Sequence, residues 1–384
     1  MPVKDQLERL AAFEPAPYPV VSLYLNTQPG QTGRDQFHTF VKKEFAARGR
    51  TYASGSSERE SLDRDFERIS RFLDTEVDPA ANGLAIFACS AGELFEAVQL
   101  TAPIEQHWLY IGDQPHLYPL ARVESLYPRY AAVLADTNSA RILVCATGEV
   151  VAQEQVKGVK TKRTSQGGWS QARFQRHIEN FHVQHAKEVV DALDAIVQRE
   201  GIAQILVAGD EVIMPLLHEQ MPKHLADKIV EQVRIDTHAP MDQVIRASID
   251  AMKRVHSQSE REKVDTAVGA YRAGGLGVVG PEDTLDALAK GQVDELLITA
   301  RVGELASVGG RARSAAEGTG AALRAPEVET AAAGEAAAVT DQTVRLADEL
   351  VTRAAQTSAK ITFVEDPGLL GSYGGVAALL RFRL

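Results

Sequence analysis

Between Gln155 and Ile178 the chain carries six cationic side chains, Lys157, Lys160, Lys162, Arg163, Arg173 and Arg176, and neither aspartate nor glutamate. The protein as a whole has a formal charge of −11, so the stretch is set against an acidic background. A local run of cations suits a polyanion, because every phosphate it neutralises releases a condensed counterion. At its centre lies "SQGGWSQARFQR", Ser165 to Arg176. Gly167 and Gly168 permit positive φ and a close approach of backbone to a surface. Trp169 offers a flat ring on which a nucleobase can stack, and Ser170 is suited to cap a helix that follows. A basic, glycine-hinged, aromatic tip of this kind reads as an RNA probe. The alternative from the same residues is a surface loop whose tryptophan folds back on its own domain.

Other catalytic patterns are absent or misplaced. "GLGVVG", Gly275 to Gly280, satisfies the dinucleotide spacing, but that fingerprint needs a strand before it and a helix beginning inside it, whereas here the apolar residues place the strand within. No GxxxxGK[ST] segment supports nucleotide hydrolysis, and no nucleophile elbow supports Ser/His/Asp chemistry. His182 and His185 share a helix face at i, i+3 without a carboxylate or thiolate partner at useful spacing, and read as a solvated or packed pair. No metal and no cofactor is expected. Cys89 and Cys145 each sit in an apolar, strand-like run and read as small buried hydrophobes rather than a disulfide, which fits a reducing cytoplasm. The start "MPVKDQLERL" has no apolar signal core, and no apolar run approaches the roughly 18 residues that span a bilayer. Neither a membrane nor DNA is an expected partner.

The elements that must position the loop follow from periodicity. With 384 residues, two or three domains are expected. Residues 1–127 open with an alternating strand from about Pro19 to Leu25, then a helix with Phe37, Phe40, Val41 and Phe45 at helical spacing. The polar "RGRTYASGSSER" reads as a loop before a second helix striped by Leu62, Phe66, Ile69 and Leu73, and a hairpin turns at Ser90-Ala91-Gly92. Residues 128–262 begin with three strands parted by Asp136-Thr137-Asn138 and Thr147-Gly148. After the basic stretch, apolar positions recur from Phe174 to Val197 until Gly201 stops the run, about thirty residues of helix, and "AQILVAGD" reads as a buried strand. Residues 263–384 give a strand, a helix opened by Pro281, a strand, a flexible Ala/Gly/Glu/Thr insert at about 307–340, a helix from about Asp341 to Gln356 and two closing strands. The expected class is α+β and α/β: an N-terminal α+β domain, a middle ribonuclease-H-like mixed sheet with a long helix after the glycine loop, and a C-terminal α/β sandwich.

Along nearly its whole length the chain resembles the archaeal and eukaryotic class-one peptide chain release factors and their relative Pelota, in particular their bacterial homologues. "VSLYLNT" and "NGLAIFACS" resemble strands of that family's first domain, and "EDTLDALAKGQVDELLIT" and "GGVAALLRF" resemble its third. "GGWSQARFQR" is similar to the segment that begins Gly-Gly-Gln-Ser and continues with Arg-Phe, with Gly167, Gly168, Ser170, Arg173, Phe174 and Arg176 in register. The departure is Trp169, where release factors have glutamine; the nearest glutamine is Gln171, a gapped arrangement similar to a branch that cleaves nascent chains from tRNA on stalled large subunits.

The resemblance implies two functions. In one, the protein hydrolyses peptidyl-tRNA on the ribosome: Gly167 and Gly168 let the tip enter a narrow RNA tunnel, and Gln171 holds a water or donates to the oxyanion. Trp169, Ser170, Lys157, Lys160, Lys162, Arg163, Arg173 and Arg176 then meet RNA. In the other, it is a Pelota-like binder of the A site that protects or recycles idle ribosomes, delivered by a translational GTPase such as elongation factor Tu. The loop around "TYASGSSER" lacks the Asn-Ile-Lys-Ser motif of stop-codon readers, which implies action without a stop codon. The implied partners are ribosomal RNA at the A site and peptidyl-transferase centre, and peptidyl-tRNA.

Overall fold

The computed structural model describes residues 3–14, 17–28, 36–100, 102–126, 128–146, 149–157, 171–305 and 341–383. They form two compact units, one of residues 1–126 with 257–384 and the other of residues 127–256. The first unit contains two four-stranded sheets and the second a five-stranded one.

In the first unit, helix α1 (Val3–Ala11) precedes strand β1 (Val20–Asn26), helices α2 (Gln36–Gly49) and α3 (Ser57–Thr75), strands β2 (Gly83–Cys89), β3 (Leu94–Leu100) and β4 (Trp108–Gly112), and helix α4 (Tyr118–Leu126). The sheet order is β3-β2-β1-β4, antiparallel throughout. Because side chains alternate across a strand, Val21, Leu23 and Leu25 face one side and join Phe37, Val41 and Phe45 of α2 and Leu62, Phe66 and Ile69 of α3 in a core. The two phenylalanines Phe45 and Phe66 stack with ring centroids 4.0 Å apart. The polar stretch after α2 is shorter than its composition suggests. Ser56 accepts the Arg59 amide at 3.2 Å as an N-cap, so α3 already starts at Ser57.

The C-terminal part of the same unit has strands β10 (Gly277–Val279), β11 (Val293–Thr299), β12 (Lys360–Val364) and β13 (Val376–Leu380) in the order β10-β13-β11-β12. Helices α9 (Pro281–Ala289), α10 (Asp341–Gln356) and the single turn α11 (Pro367–Leu370) connect them. The insert read at about 307–340 lies outside the described residues. Strand β10 occupies the second half of "GLGVVG" and α9 begins only at Pro281, so the dinucleotide pattern has a strand where its glycine turn should be. Gly277 is a packing glycine: a Cβ there would stand 2.3 Å from the Ala267 carbonyl and 2.6 Å from the Tyr271 amide. Gly277→Ala is therefore expected to lower the thermal midpoint by the equivalent of about 1 to 3 kcal/mol, as overpacking against backbone does. NAD, ATP or GTP added to the wild type should leave that midpoint where it is.

A buried polar group ties residues 116–118 to α10. The His116 ring contacts Asp348 through Nδ1 at 2.6 Å, the Tyr118 amide donates to the other carboxylate oxygen at 3.1 Å, and the His116 amide donates to Ser22 Oγ at 2.9 Å. Tyr118 donates its hydroxyl to the Thr299 carbonyl, and Tyr24 to that of His116, each at 2.5 Å.

The second unit has strands β5 (Tyr130–Ala135), β6 (Ser139–Ala146), β7 (Glu149–Lys157), β8 (Gln204–Gly209) and β9 (Ile229–Gln232) in the order β7-β6-β5-β8-β9. The pairs β7·β6 and β6·β5 are antiparallel, and β5·β8 and β8·β9 parallel, which is the ribonuclease-H-like mixed sheet. Helices α5 (Gln171–Glu200), α6 (Ile213–Gln220) and α7 (Lys223–Ala226) precede α8 (Met241–Arg272). Helix α5 packs Ala186, Val189, Val190, Leu193, Ile196 and Val197 onto β5, β6 and β8. On the opposite face Val244, Ala251 and Met252 of α8 meet Tyr130, Ala132, Leu134 and Leu206. Both cysteines are free and buried, and burial pushes the Cys145 thiol up to about 11. Among the described residues no helix is long and apolar enough to cross a membrane.

Candidate functional site

The basic stretch joins an edge strand to a long helix. Strand β7 ends at Lys157, whose side chain is exposed and which pairs in register with Ser139, the first residue of β6. Helix α5 starts at Gln171. Lys160, Lys162, Arg163, Gly167, Gly168, Trp169 and Ser170 lie outside the described residues, between these two ends. Gln171, Arg173 and Arg176 fall in the first two turns of α5, and the first turn contains no acidic residue. The free amides and positive dipole of that terminus thus coincide with the basic stretch. Lys157 lies at the end of β7 and Gln171 at the start of α5, the one a strand end and the other a helix start.

The helix has two different halves. Glu179, Asn180, Val183 and Gln184 are exposed, Phe181 and His182 half-buried, and continuous burial begins at His185 and Ala186. At about 1.5 Å per residue, Gln171 stands about 21 Å along the axis from His185. From there the apolar stripe holds the helix to the sheet, and Gly201, at φ 63°, ends it. His185 is buried, and neither ring nitrogen has a hydrogen-bond partner among the described residues.

The sheet end from which the stretch departs is braced by residues that the sequence did not mark as part of the site. The pairing of Lys157 with Ser139 places it beside the turn between β5 and β6. There Asp136 accepts the Asn138 and Ser139 amides on Oδ1 at 2.6 and 2.8 Å and the Ser139 hydroxyl on Oδ2 at 3.0 Å. His238 Nε2 lies 3.6 Å from the same carboxylate. Arg141 reaches the carbonyls of Thr237, at 2.5 Å, and Ala239, at 3.0 Å. The Asp-Thr-Asn-Ser turn was legible as turn chemistry, but its partners at Thr237 and His238 stand about a hundred residues away and gave no local signal.

Burial alone would raise the Asp136 carboxyl, yet hydrogen bonds from the Asn138 and Ser139 amides and the Ser139 hydroxyl, with the nearby His238, hold it below the ordinary value. A carboxylate whose pKa is depressed by folding stabilises the protein above its unfolded value of about 4 and loses that contribution as pH falls through the folded value. Asp136→Ala is accordingly expected to cost about 1 to 3 kcal/mol at pH 7, because two amides and a hydroxyl lose their acceptor. Urea unfolding across a pH series checks this: the difference between wild type and variant should be full at neutral pH and close as the solution becomes strongly acidic.

Residues 115–253 match the model of "Bacterial archaeo-eukaryotic release factor family 10", a span that contains β5 to β9, α5 and the whole basic stretch. A comparison with curated proteins returned no match. Among solved structures, the archaeal translation termination factor aRF1 is 17% identical, with 99% of this chain and 98% of that chain covered and a TM-score of 0.26. S. cerevisiae Dom34, a translation termination-like factor, is 10% identical over 78% of this chain and 80% of its own, with a TM-score of 0.41. Archaeoglobus fulgidus Pelota is 15% identical over 78% and 79%, with a TM-score of 0.29. Over residues 115–253 this chain is similar to the bacterial archaeo-eukaryotic release factors of family 10.

Proposed function

We propose that the protein is a ribosome-associated release or rescue factor that hydrolyses peptidyl-tRNA through the Gly167-Gly168-Trp169-Ser170-Gln171 segment, in the cytoplasm and without reading a stop codon. One observation carries the reading: the family match contains a run of six cations with no acid, and within it a glycine pair and a tryptophan stand directly before a 30-residue helix. The chemistry required is small. A water attacks the ester carbonyl, the bond to the terminal ribose oxygen breaks, and that oxygen leaves as a hydroxyl with a proton from the water. The factor has to admit and orient the water and stabilise the oxyanion, which a neutral amide does without a base of shifted pKa. Gln171 supplies that amide, Gly167 and Gly168 the close approach, and α5 the strut behind them. Lys157, Lys160, Lys162, Arg163, Arg173 and Arg176 meet phosphates, and Trp169 and Ser170 line the approach to the peptidyl-transferase centre. In this reading residues 1–127, 128–262 and 263–384 act as three functional parts, delivered to the A site by a translational GTPase such as elongation factor Tu.

Trp169 favours a second reading, because it stands where release factors have their glutamine: a non-catalytic A-site binder that protects or recycles idle ribosomes. Single-turnover release of a labelled peptide from peptidyl-tRNA, on intact ribosomes and on large subunits, separates the two. The hydrolase should release peptide well above the buffer rate on at least one particle. Tight co-sedimentation with release no faster than buffer on either particle would leave only the binder.

A further inference from the structure

We propose that the cleft where helices α1 and α10 end binds a short aliphatic polyamine, a role that goes beyond the release or rescue reading and does not depend on it. The cleft has a volume of about 250 Å³ and lies within the first unit. Buried Leu10 and Ala11, from the last turn of α1, and buried Pro115 give it an apolar lining. Phe13 adds a ring that lies against Gly92, where a Cβ would come within 2.9 Å of it. The two helix ends are joined directly, because Gln356, the last residue of α10, donates its side-chain amide to the Ala11 carbonyl at 2.7 Å.

The charges around the cleft are one-sided. A helix C-terminus carries a partial negative charge that acts within its last turn, and two such ends meet here. The cations in those last turns are already matched, Arg9 by Glu96 at 2.7 Å and Arg353 by Glu349 at 2.6 Å. Arg381 donates to the Thr357 and Ser358 carbonyls beyond α10, which do not line the cleft. Among the described residues the lining contains no lysine or arginine, and its one charged side chain is the exposed Glu14. The Glu14 carboxylate, the Gln114 amide and the Thr352 hydroxyl, all in the lining, make no side-chain hydrogen bond or ion pair among the described residues.

These features select the ligand. An anion would face two helix C-termini and a carboxylate, with no cation to hold it. A metal ion would need several carboxylate, imidazole or thiolate groups, and among the described residues no three are grouped for one. A wholly apolar ligand would strip water from Glu14, Gln114 and Thr352 without replacing its hydrogen bonds. An aliphatic amine meets each of these groups: an ammonium at Glu14, methylenes over Leu10, Phe13 and Pro115, and a second nitrogen donating to Gln114, Thr352 or the Gln356 amide oxygen. The volume admits an open chain of roughly ten non-hydrogen atoms, the size of spermidine.

The test titrates the full chain with spermidine by calorimetry at about 0.15 M KCl, the ionic strength at which exposed charges are largely screened. One site is expected, with a Kd of about 0.1 to 1 mM for roughly ten non-hydrogen atoms. Glu14→Gln should weaken it about tenfold, the loss of one hydrogen bond to a charged group. Ala12→Phe, which fills the cleft from an exposed lining position, should remove binding. Thr352→Val keeps the shape of the side chain and should cost about threefold, so it serves where Ala12→Phe fails to fold. Asp283→Asn, an exposed acid on α9 outside the lining, should change nothing. Absence of saturable binding up to about 10 mM spermidine overturns the proposal. Affinity that Glu14→Gln and Thr352→Val leave intact overturns it too, as does displacement of spermidine by an equal concentration of MgCl2. Either result would be the general attraction of cations to a protein of net charge −11.

Discussion

Gln171→Ala is expected to slow single-turnover peptide release by about a hundredfold, the loss that follows removal of one oxyanion donor, while ribosome co-sedimentation stays close to wild type. The separation matters because Gln171 is the first residue of α5. A substitution there leaves the apolar stripe from Ala186 onward untouched, so a loss of rate cannot be put down to a lost core. Trp169→Ala should show the reverse, costing about 1 to 3 kcal/mol of stacking and hence mainly affinity. Gly168→Val, which stiffens the segment, serves as the control that impairs both. If Gln171→Ala releases peptide at the wild-type rate, the amide is not the group that positions water. If both it and the wild type are inactive while Trp169→Ala still loses affinity, the loop seats without reacting.

Replacing His116 by alanine should destabilise the first unit by about 3 to 5 kcal/mol, the range for a buried charge that loses its partner. Asp348 is 7% exposed and keeps one backbone donor, the Tyr118 amide, when the imidazole is gone. The ring also fills space: Tyr110, Trp108 and Tyr24 approach it at centroid distances of 4.9, 5.9 and 6.0 Å, so a cavity adds to the electrostatic loss. Trp108 provides the probe. In a Trp169→Phe background it is the remaining tryptophan of the two in the chain, and its fluorescence through a urea titration reports on this core. Adding Asp348→Asn to His116→Ala should recover part of the loss, because a neutral amide carries no charge to strand. A full-length His116→Ala variant with an unchanged midpoint would show that the carboxylate reaches water or another cation once the ring is removed.

Much of the frame could be read from period and punctuation. The turn at Asp136 parts the first two strands of the second unit as read, α5 ends where Gly201 takes positive φ, and α10 starts at Asp341. Each of these signals is local. What escaped is of two kinds. Helix α4 and strand β4 are short, and their apolar positions are too few to show a period, whereas α1 carries Val3, Leu7, Leu10 and Ala11 at helical spacing and went unread. Helix α8 was harder for a different reason. Between Met252 and Val264 no apolar side chain is buried, so the stripe that marks a helix lapses for about three turns although the backbone continues. Its buried position there is Glu260, whose carboxylate accepts the Glu365 amide at 3.0 Å. In the same way, the pairing of His116 with Asp348 spans 232 residues and leaves no trace in either neighbourhood. At the candidate site the sequence supplied residue types and spacing, and the structure added the strand, the helix start and the Asp136 brace on which they depend.

The division of α5 into an anchored half and an unanchored stretch sets a gradient in how the helix opens. Amides around Val189, Leu193 and Val197 are covered by the sheet and are released to solvent only when the domain unfolds, so their hydrogen exchange reports its global free energy. Upstream of His185, from Glu179 to Gln184, four of the six residues are exposed, and Gln184 donates to Glu188 at 3.1 Å along the helix itself. Opening there is a local event whose free energy depends on helix propensity. Asn180 and Val183, both exposed and both weaker helix formers than alanine, are therefore tuning points. Substituting them would raise or lower the free energy of opening at Glu179 to Gln184 while leaving the melting of the domain unchanged, which makes the two parts of the helix adjustable separately.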